Sequence, residues 1–120
     1  QSFVEGLGKG TVFLAGGETT VTVRGHGQGG RNQEVVLGAL PRLTRDTVLV
    51  SFASDGIDHT DAAGAVGDGE SLERAATLGL DYERHLNTDD TYPFFEKLND
   101  LIFTGITGTN VSDLIVAVRE

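Results

Sequence analysis

Cysteine is absent from this chain of 120 residues, which removes both a disulfide scaffold and a thiolate metal site. Lysine is scarce, supplying only Lys9 and Lys97 among nine cations, against 18 carboxylates and a net charge of −9. A surface of that sign repels phosphate backbones, so nucleic acid is excluded as a partner. No apolar run is long enough to span a bilayer, and no charged-then-apolar start marks a secretory signal, so no membrane partner is expected. The default compartment is the cytoplasm. Proline and serine are too few to make the 17 glycines a linker. The acidic, lysine-poor composition fits an ordinary soluble protein or one adapted to high salt, and composition alone leaves both open.

The glycines cluster at 25–30, 64–69 and 105–108, as ordered loops would. Between them, Thr11 to Ala15 and Thr19 to Arg24 read as strands joined at Gly16-Gly17, a hairpin signal. Arg31 to Leu40 reads as a helix ended by Pro41. Val48 to Ala53 is nearly continuously apolar, which suits a strand covered on both faces. A short strand at Ala63 to Val66 precedes a helix over Glu70 to Leu78, with Leu72, Ala75 and Ala76 on one face and Gly79 as its left-handed stop. A helical turn over Asp81 to Leu86 follows. Another helix carries Phe94, Phe95 and Leu98, capped by Asp90 or Thr91 with Pro93 in its first turn. Strands at Leu101 to Thr104 and Leu114 to Val118 close the order. The pattern predicts a single α/β layered domain with a mixed β-sheet flanked by helices. Ligands of such sheets sit at the carboxyl ends of the strands, which selects the loops 25–31, 54–61 and 105–110.

The loop Gly25-His26-Gly27-Gln28-Gly29-Gly30 lies between a strand and a helix opening on Arg31, Asn32, Gln33 and Glu34. Missing Cβ atoms admit a ligand to the backbone, and a helix start directs unpaired N–H groups at an anion. Gly25, Gly27 and Gly30 match the dinucleotide pattern, but the hairpin before them is an odd start for that fold. A nucleotide-triphosphate loop fails because Arg31-Asn32 replaces its terminal pair. A plain tight turn and an anion site of another type both remain open.

Asp55, Asp58 and Asp61 recur at a spacing of three, where the EF-hand calcium loop needs alternate positions. They suit magnesium held through water, a general base, or simple turn chemistry. His26 and His59 lie in candidate site loops, while His85 reads as a surface turn; none has metal spacing. Thr107 to Asn110 offers hydroxyls and an amide for an anion or for capping a strand. Asn87, Asp89, Asp90 and Thr91 read most simply as a helix cap, and Glu18 as a solvated hairpin residue or an acid aimed into the site.

Gly16-Gly17-Glu18-Thr19-Thr20-Val21-Thr22-Val23, the run from Gly27 to Glu34, Asp55-Gly56-Ile57-Asp58 with Thr60-Asp61-Ala62-Ala63-Gly64-Ala65, and Thr107-Gly108-Thr109-Asn110-Val111 with Asp113-Leu114 together resemble the MOFRL domain. That domain is the C-terminal part of type II glycerate 2-kinases, some of which have gone under the name hydroxypyruvate reductase. The resemblance runs from about Thr11 to the end. His59 departs from it, standing where the family has glycine, and Asp90 stands where it tends to have serine.

The resemblance implies ATP-dependent phosphorylation of D-glycerate to 2-phosphoglycerate with Mg²⁺, across a cleft from a larger N-terminal domain. Residues 1–120 are then one MOFRL-like domain, with 1–10 the remnant of a linker, inactive without that partner in cis or trans. A homo-oligomer is left open. Glu18, Arg31, Asn32, Gln33, Glu34, Asp55, Asp58, Asp61, Asn110 and Asp113 occupy matching motif positions, beside Gly27, Gly29, Gly30 and Thr109. On this basis Arg31 is assigned to phosphate. Asp55 and Asp58 are assigned to Mg²⁺ or to the glycerate hydroxyl proton, and Asn32, Gln33 and Asn110 to substrate oxygens. The alternatives are a stand-alone small-anion or nucleotide-binding module and part of an NAD(P)H-dependent hydroxypyruvate reductase.

Overall fold

The structure, a computed structural model, describes residues 8, 10–17, 27–109 and 112–120. Five strands form one open sheet in the order β1-β5-β2-β3-β4: β1 Thr11–Gly17, β2 Thr47–Ala53, β3 Gly64–Asp68, β4 Leu101–Ile102 and β5 Asp113–Arg119. The α/β class stands, and every pairing among the described strands is antiparallel. The proposed hairpin strand Thr19 to Arg24 lies outside the described residues.

Alternation along β2 shows how the sheet is used. Thr47, Leu49, Ser51 and Ala53 are buried, while Val48, Val50 and Phe52 face the other way and are partly or fully exposed. The helices pack on the first face. They are α1 (Arg31–Ala39), α2 (Ser71–Thr77), α3 (Tyr82–Asn87) and α4 (Thr91–Leu98). Val36, Leu37, Leu40, Phe94, Phe95 and Leu98 meet Leu49, Ala65 and Ala117 in one core. Phe94 anchors it, with edge-on ring contacts to Phe95 at 5.3 Å and Tyr82 at 6.2 Å. Gly67 lets α1 lie close on β3, since a Cβ there would stand 2.5 Å from Leu40 Cδ2.

The helix ends follow local chemistry. Pro41 does not stop α1 cleanly; it sits inside a 3-10 turn, Leu40–Arg42, that prolongs it. Gly79 at φ +77° ends α2, and the Leu80 N–H donates to the Ala75 carbonyl, bringing Leu80 onto the core. Ala76, expected on the buried face, is exposed. Asp81 caps α3 by accepting from the Arg84 N–H, and Pro93 occupies the first turn of α4.

Candidate functional site

Three loops converge at the sheet end where β2 stops and β5 begins. The Thr107 hydroxyl donates to the Ser54 carbonyl at 2.6 Å, and the backbone at Gly56 lies so close that a Cβ would stand 2.0 Å from the Gly105 carbonyl oxygen. On the other side, the glycine loop leans on the Asp58 region and on the turn before α4. The Gly27 N–H donates to the Thr88 carbonyl, the Gln28 N–H to Asp90 Oδ1, and the Tyr92 N–H to the Gln28 carbonyl.

The glycines serve that packing. A Cβ on Gly29 would stand 2.0 Å from Thr91 Oγ1, and one on Gly30 would stand 1.9 Å from the Asp58 carbonyl oxygen. The space left by the missing side chains is taken up by the protein itself.

The start of α1 is likewise occupied. Asp58 is 1% exposed, and its carboxylate accepts from the Asn32 and Gln33 N–H groups at 3.0 Å each and from Asn32 Nδ2 at 3.2 Å. An internal carboxylate thus fills the place where a ligand anion was expected. Burial pushes the Asp58 carboxyl above its ordinary range, the Asn32 and Gln33 donors pull it back, and the nearby charge of Asp113 raises it again.

Asn32 and Gln33 are fully buried and satisfied. Ser51 Oγ donates to Asn32 Oδ1 at 2.6 Å, Gln33 Nε2 donates to Thr60 Oγ1 at 3.1 Å, and Thr91 Oγ1 donates to Gln33 Oε1 at 3.0 Å. The two amides therefore tie α1 to β2, to the 54–63 loop and to α4.

Arg31 leaves this network and faces a cavity of about 230 Å³ lined by Gly27, Gly29, Gly30, Arg31, Glu34, His59 and Asp89. Its Nε donates to Asp113 Oδ2 at 2.5 Å and its Nη2 to Asp113 Oδ1 at 3.2 Å. The guanidinium side chain is 31% exposed and the carboxylate 1%, so a buried acid fixes a reachable cation. Asp113 holds the arginine.

His59 and Asp89, across the cavity, both carry left-handed backbone, at φ +59° and +56°. The φ of His59 lies in the region that favours glycine, the residue the resemblance implies there. Asp89 was read from sequence only as part of a helix cap; its place on the cavity depends on a turn that no local motif announces.

The other candidates scatter. Asp55 Oδ1 accepts from the Ile57 N–H, an Asx turn, and Asp61 accepts from the Tyr92 hydroxyl on the exposed surface. Thr109 is exposed and bonds within its own loop. Glu18, His26 and Asn110 lie outside the described residues. Asp90 is the N-cap of α4 by position, but its side chain turns to Gln28. His85 is a core residue and not a surface one: its ring lies 5.5 Å from Phe94, and Nδ1 bonds the Asp90 carbonyl at 2.8 Å.

The described residues do not enclose magnesium by themselves, an ion that needs only one or two carboxylates beside water and substrate phosphate. The carboxylate of Asp58 is enclosed by three donors, and no group of three or more His, Asp or Glu side chains among the described residues is placed to hold a metal ion. They do not fit a nicotinamide dinucleotide either. The helix start that would take its pyrophosphate carries Asp58, and the sheet is antiparallel where that fold needs parallel strands.

Residues 11–113 match the MOFRL family model. The chain belongs to the MOFRL family. It is 41% identical over 110 residues to the glycerate 2-kinase of Pyrococcus horikoshii, covering 89% of this chain and 25% of that protein. It is 46% identical over 121 residues to the glycerate kinase of Danio rerio, covering 93% of this chain and 24% of that protein. The crystal structure of Thermotoga maritima glycerate kinase superposes with a TM-score of 0.90 at 41% identity, over 95% of this chain and 28% of that one. This MOFRL chain therefore spans about a quarter of the length of these relatives. No described helix is long and apolar enough to cross a membrane.

Proposed function

We propose that this chain is the MOFRL domain of a glycerate 2-kinase, which transfers the γ-phosphoryl group of ATP to the 2-hydroxyl of D-glycerate and needs a further domain for turnover. The observation that carries this reading is the Arg31 guanidinium, clamped on two nitrogens by buried Asp113 at the wall of a cavity. Both the glycerate carboxylate and the transferring phosphoryl group are anions, and phosphoryl transfer depends chiefly on positioning and neutralising such charge. Arg31 supplies a fixed positive group, and Gly27, Gly29 and Gly30 line the cavity that it faces. Glu34, His59 and Asp89 supply acceptors for substrate hydroxyls. Asn32, Gln33 and Asp58 act behind this wall by holding the start of α1. ATP is the phosphoryl donor. The cysteine-free, acidic composition fits a cytoplasmic setting.

Arg31→Ala in the full-length enzyme should lower kcat/KM for glycerate by about 100-fold or more. Arg31→Lys should recover only part, because a lysine cannot reproduce the two-pronged contact with Asp113. Unchanged turnover in Arg31→Ala would remove Arg31 from the reaction. Calorimetric titration of the 120-residue chain with glycerate, ATP and 2-phosphoglycerate tests the simpler reading of a binding module without chemistry. Heat from any of these in the isolated chain favours that reading.

A further inference from the structure

Among the described residues, the sheet has two apolar faces and helices on only one. On the open face the register brings Val12, Val118 and Val48 into one row across three strands and Leu14, Val116 and Val50 into the next. None of these six belongs to the core beneath the helices. Val12 is 67% exposed and Leu14 68%. An antiparallel sheet with one face in water alternates apolar with polar residues. Here β2 and β5 are apolar at nearly every position that points away from the helices, so the strands are written for burial on both sides.

We propose that this open face is the docking surface for the remainder of a longer polypeptide, the portion that the matched relatives carry outside this region. Three observations favour that occupant. The relatives devote roughly three quarters of their length to other chain. The six residues carry no charge and no hydrogen-bonding side chain, so an apolar protein surface fits and an ion, a lipid headgroup or a nucleic acid does not. A second copy would bring two chains of net charge −9 face to face, which opposes self-association. The inference concerns association and not phosphoryl transfer, so its failure leaves the proposed function standing, and the reverse is also true.

The test places Val12→Lys and Leu14→Lys together in the full-length polypeptide and in the 120-residue chain. In the full-length protein, limited proteolysis should cut between the two parts about tenfold faster or more. The released fragment should keep the circular dichroism of the 120-residue chain. Val12→Thr with Leu14→Thr, which keeps strand propensity, should give the same direction with a smaller effect, and it replaces the lysine pair if that variant fails to fold. An unchanged cleavage rate with a folded variant would overturn the proposal. So would a 120-residue chain that sediments as a dimer and is made monomeric by the lysines while the full-length protein is unaffected; that result would assign the face to a second copy.

Discussion

At the scale of single residues, Asp58 governs the start of α1. Asp58→Asn keeps the size but turns an NH₂ group toward backbone N–H groups, leaving a buried donor unpaired. The expected loss is about 1–3 kcal/mol, read as a lower urea midpoint with an unchanged slope. The pH dependence has a definite sign. The folded carboxyl is raised by burial, so the folded protein binds that proton more tightly than the unfolded chain. Its contribution is whole below the ordinary value of 3.8 and declines as pH rises through the folded value. The stability gap between wild type and Asp58→Asn should therefore narrow as pH climbs out of the acid range, which urea titrations at a series of pH values would register. His59 offers the opposite case. Its left-handed backbone favours glycine, so His59→Gly should gain about 1 kcal/mol, or several degrees in Tm by thermal denaturation.

At the scale of elements, the glycine loop, the 54–63 loop and the start of α4 form one interlocked unit. Gly30→Ala would put a methyl group 1.9 Å from the Asp58 carbonyl oxygen, with no flexible side chain to yield. A destabilisation of about 1–3 kcal/mol or more is expected, with loss of the Arg31–Asp113 geometry. Calorimetric unfolding measures the first and the Arg31-dependent activity the second. The placing of elements was largely legible, because Gly79, Asp81 and Pro93 act on the backbone within a few residues of themselves. The roles of Asn32 and Gln33 were not. An amide beside a glycine loop looks the same whether it meets a ligand or a buried partner, and their partners Ser51, Asp58, Thr60 and Thr91 are 19 to 58 positions away.

For the whole molecule, a net charge of −9 over 120 residues makes stability respond to ionic strength. Moving from about 0.05 M to about 1 M NaCl screens the repulsion and should raise Tm, and a flat response would count against a charge-limited fold. At the alkaline end, burial pushes the Tyr82 hydroxyl from 10.0 up to about 12, and that hydroxyl donates to the Leu37 carbonyl at 2.8 Å. The folded value is raised, so this contribution is whole below pH 10 and lost as pH rises toward 12. Phenolate absorbance should show Tyr82 ionising about two units late and together with unfolding; Tyr82→Phe should remove that step.

The sequence by itself determined the α/β class, most element positions, the acidic surface and the meeting of three loops at one end of the sheet. These depend on residue spacing and local backbone preference. Only the tertiary structure decided that the described strands pair antiparallel, that the anion at the helix start is Asp58, and that Asp113 aims Arg31 into the cavity. The physical reason is that a carboxylate, an amide and a guanidinium are each compatible with several partners. Which one each takes is settled when distant segments pack and exclude water.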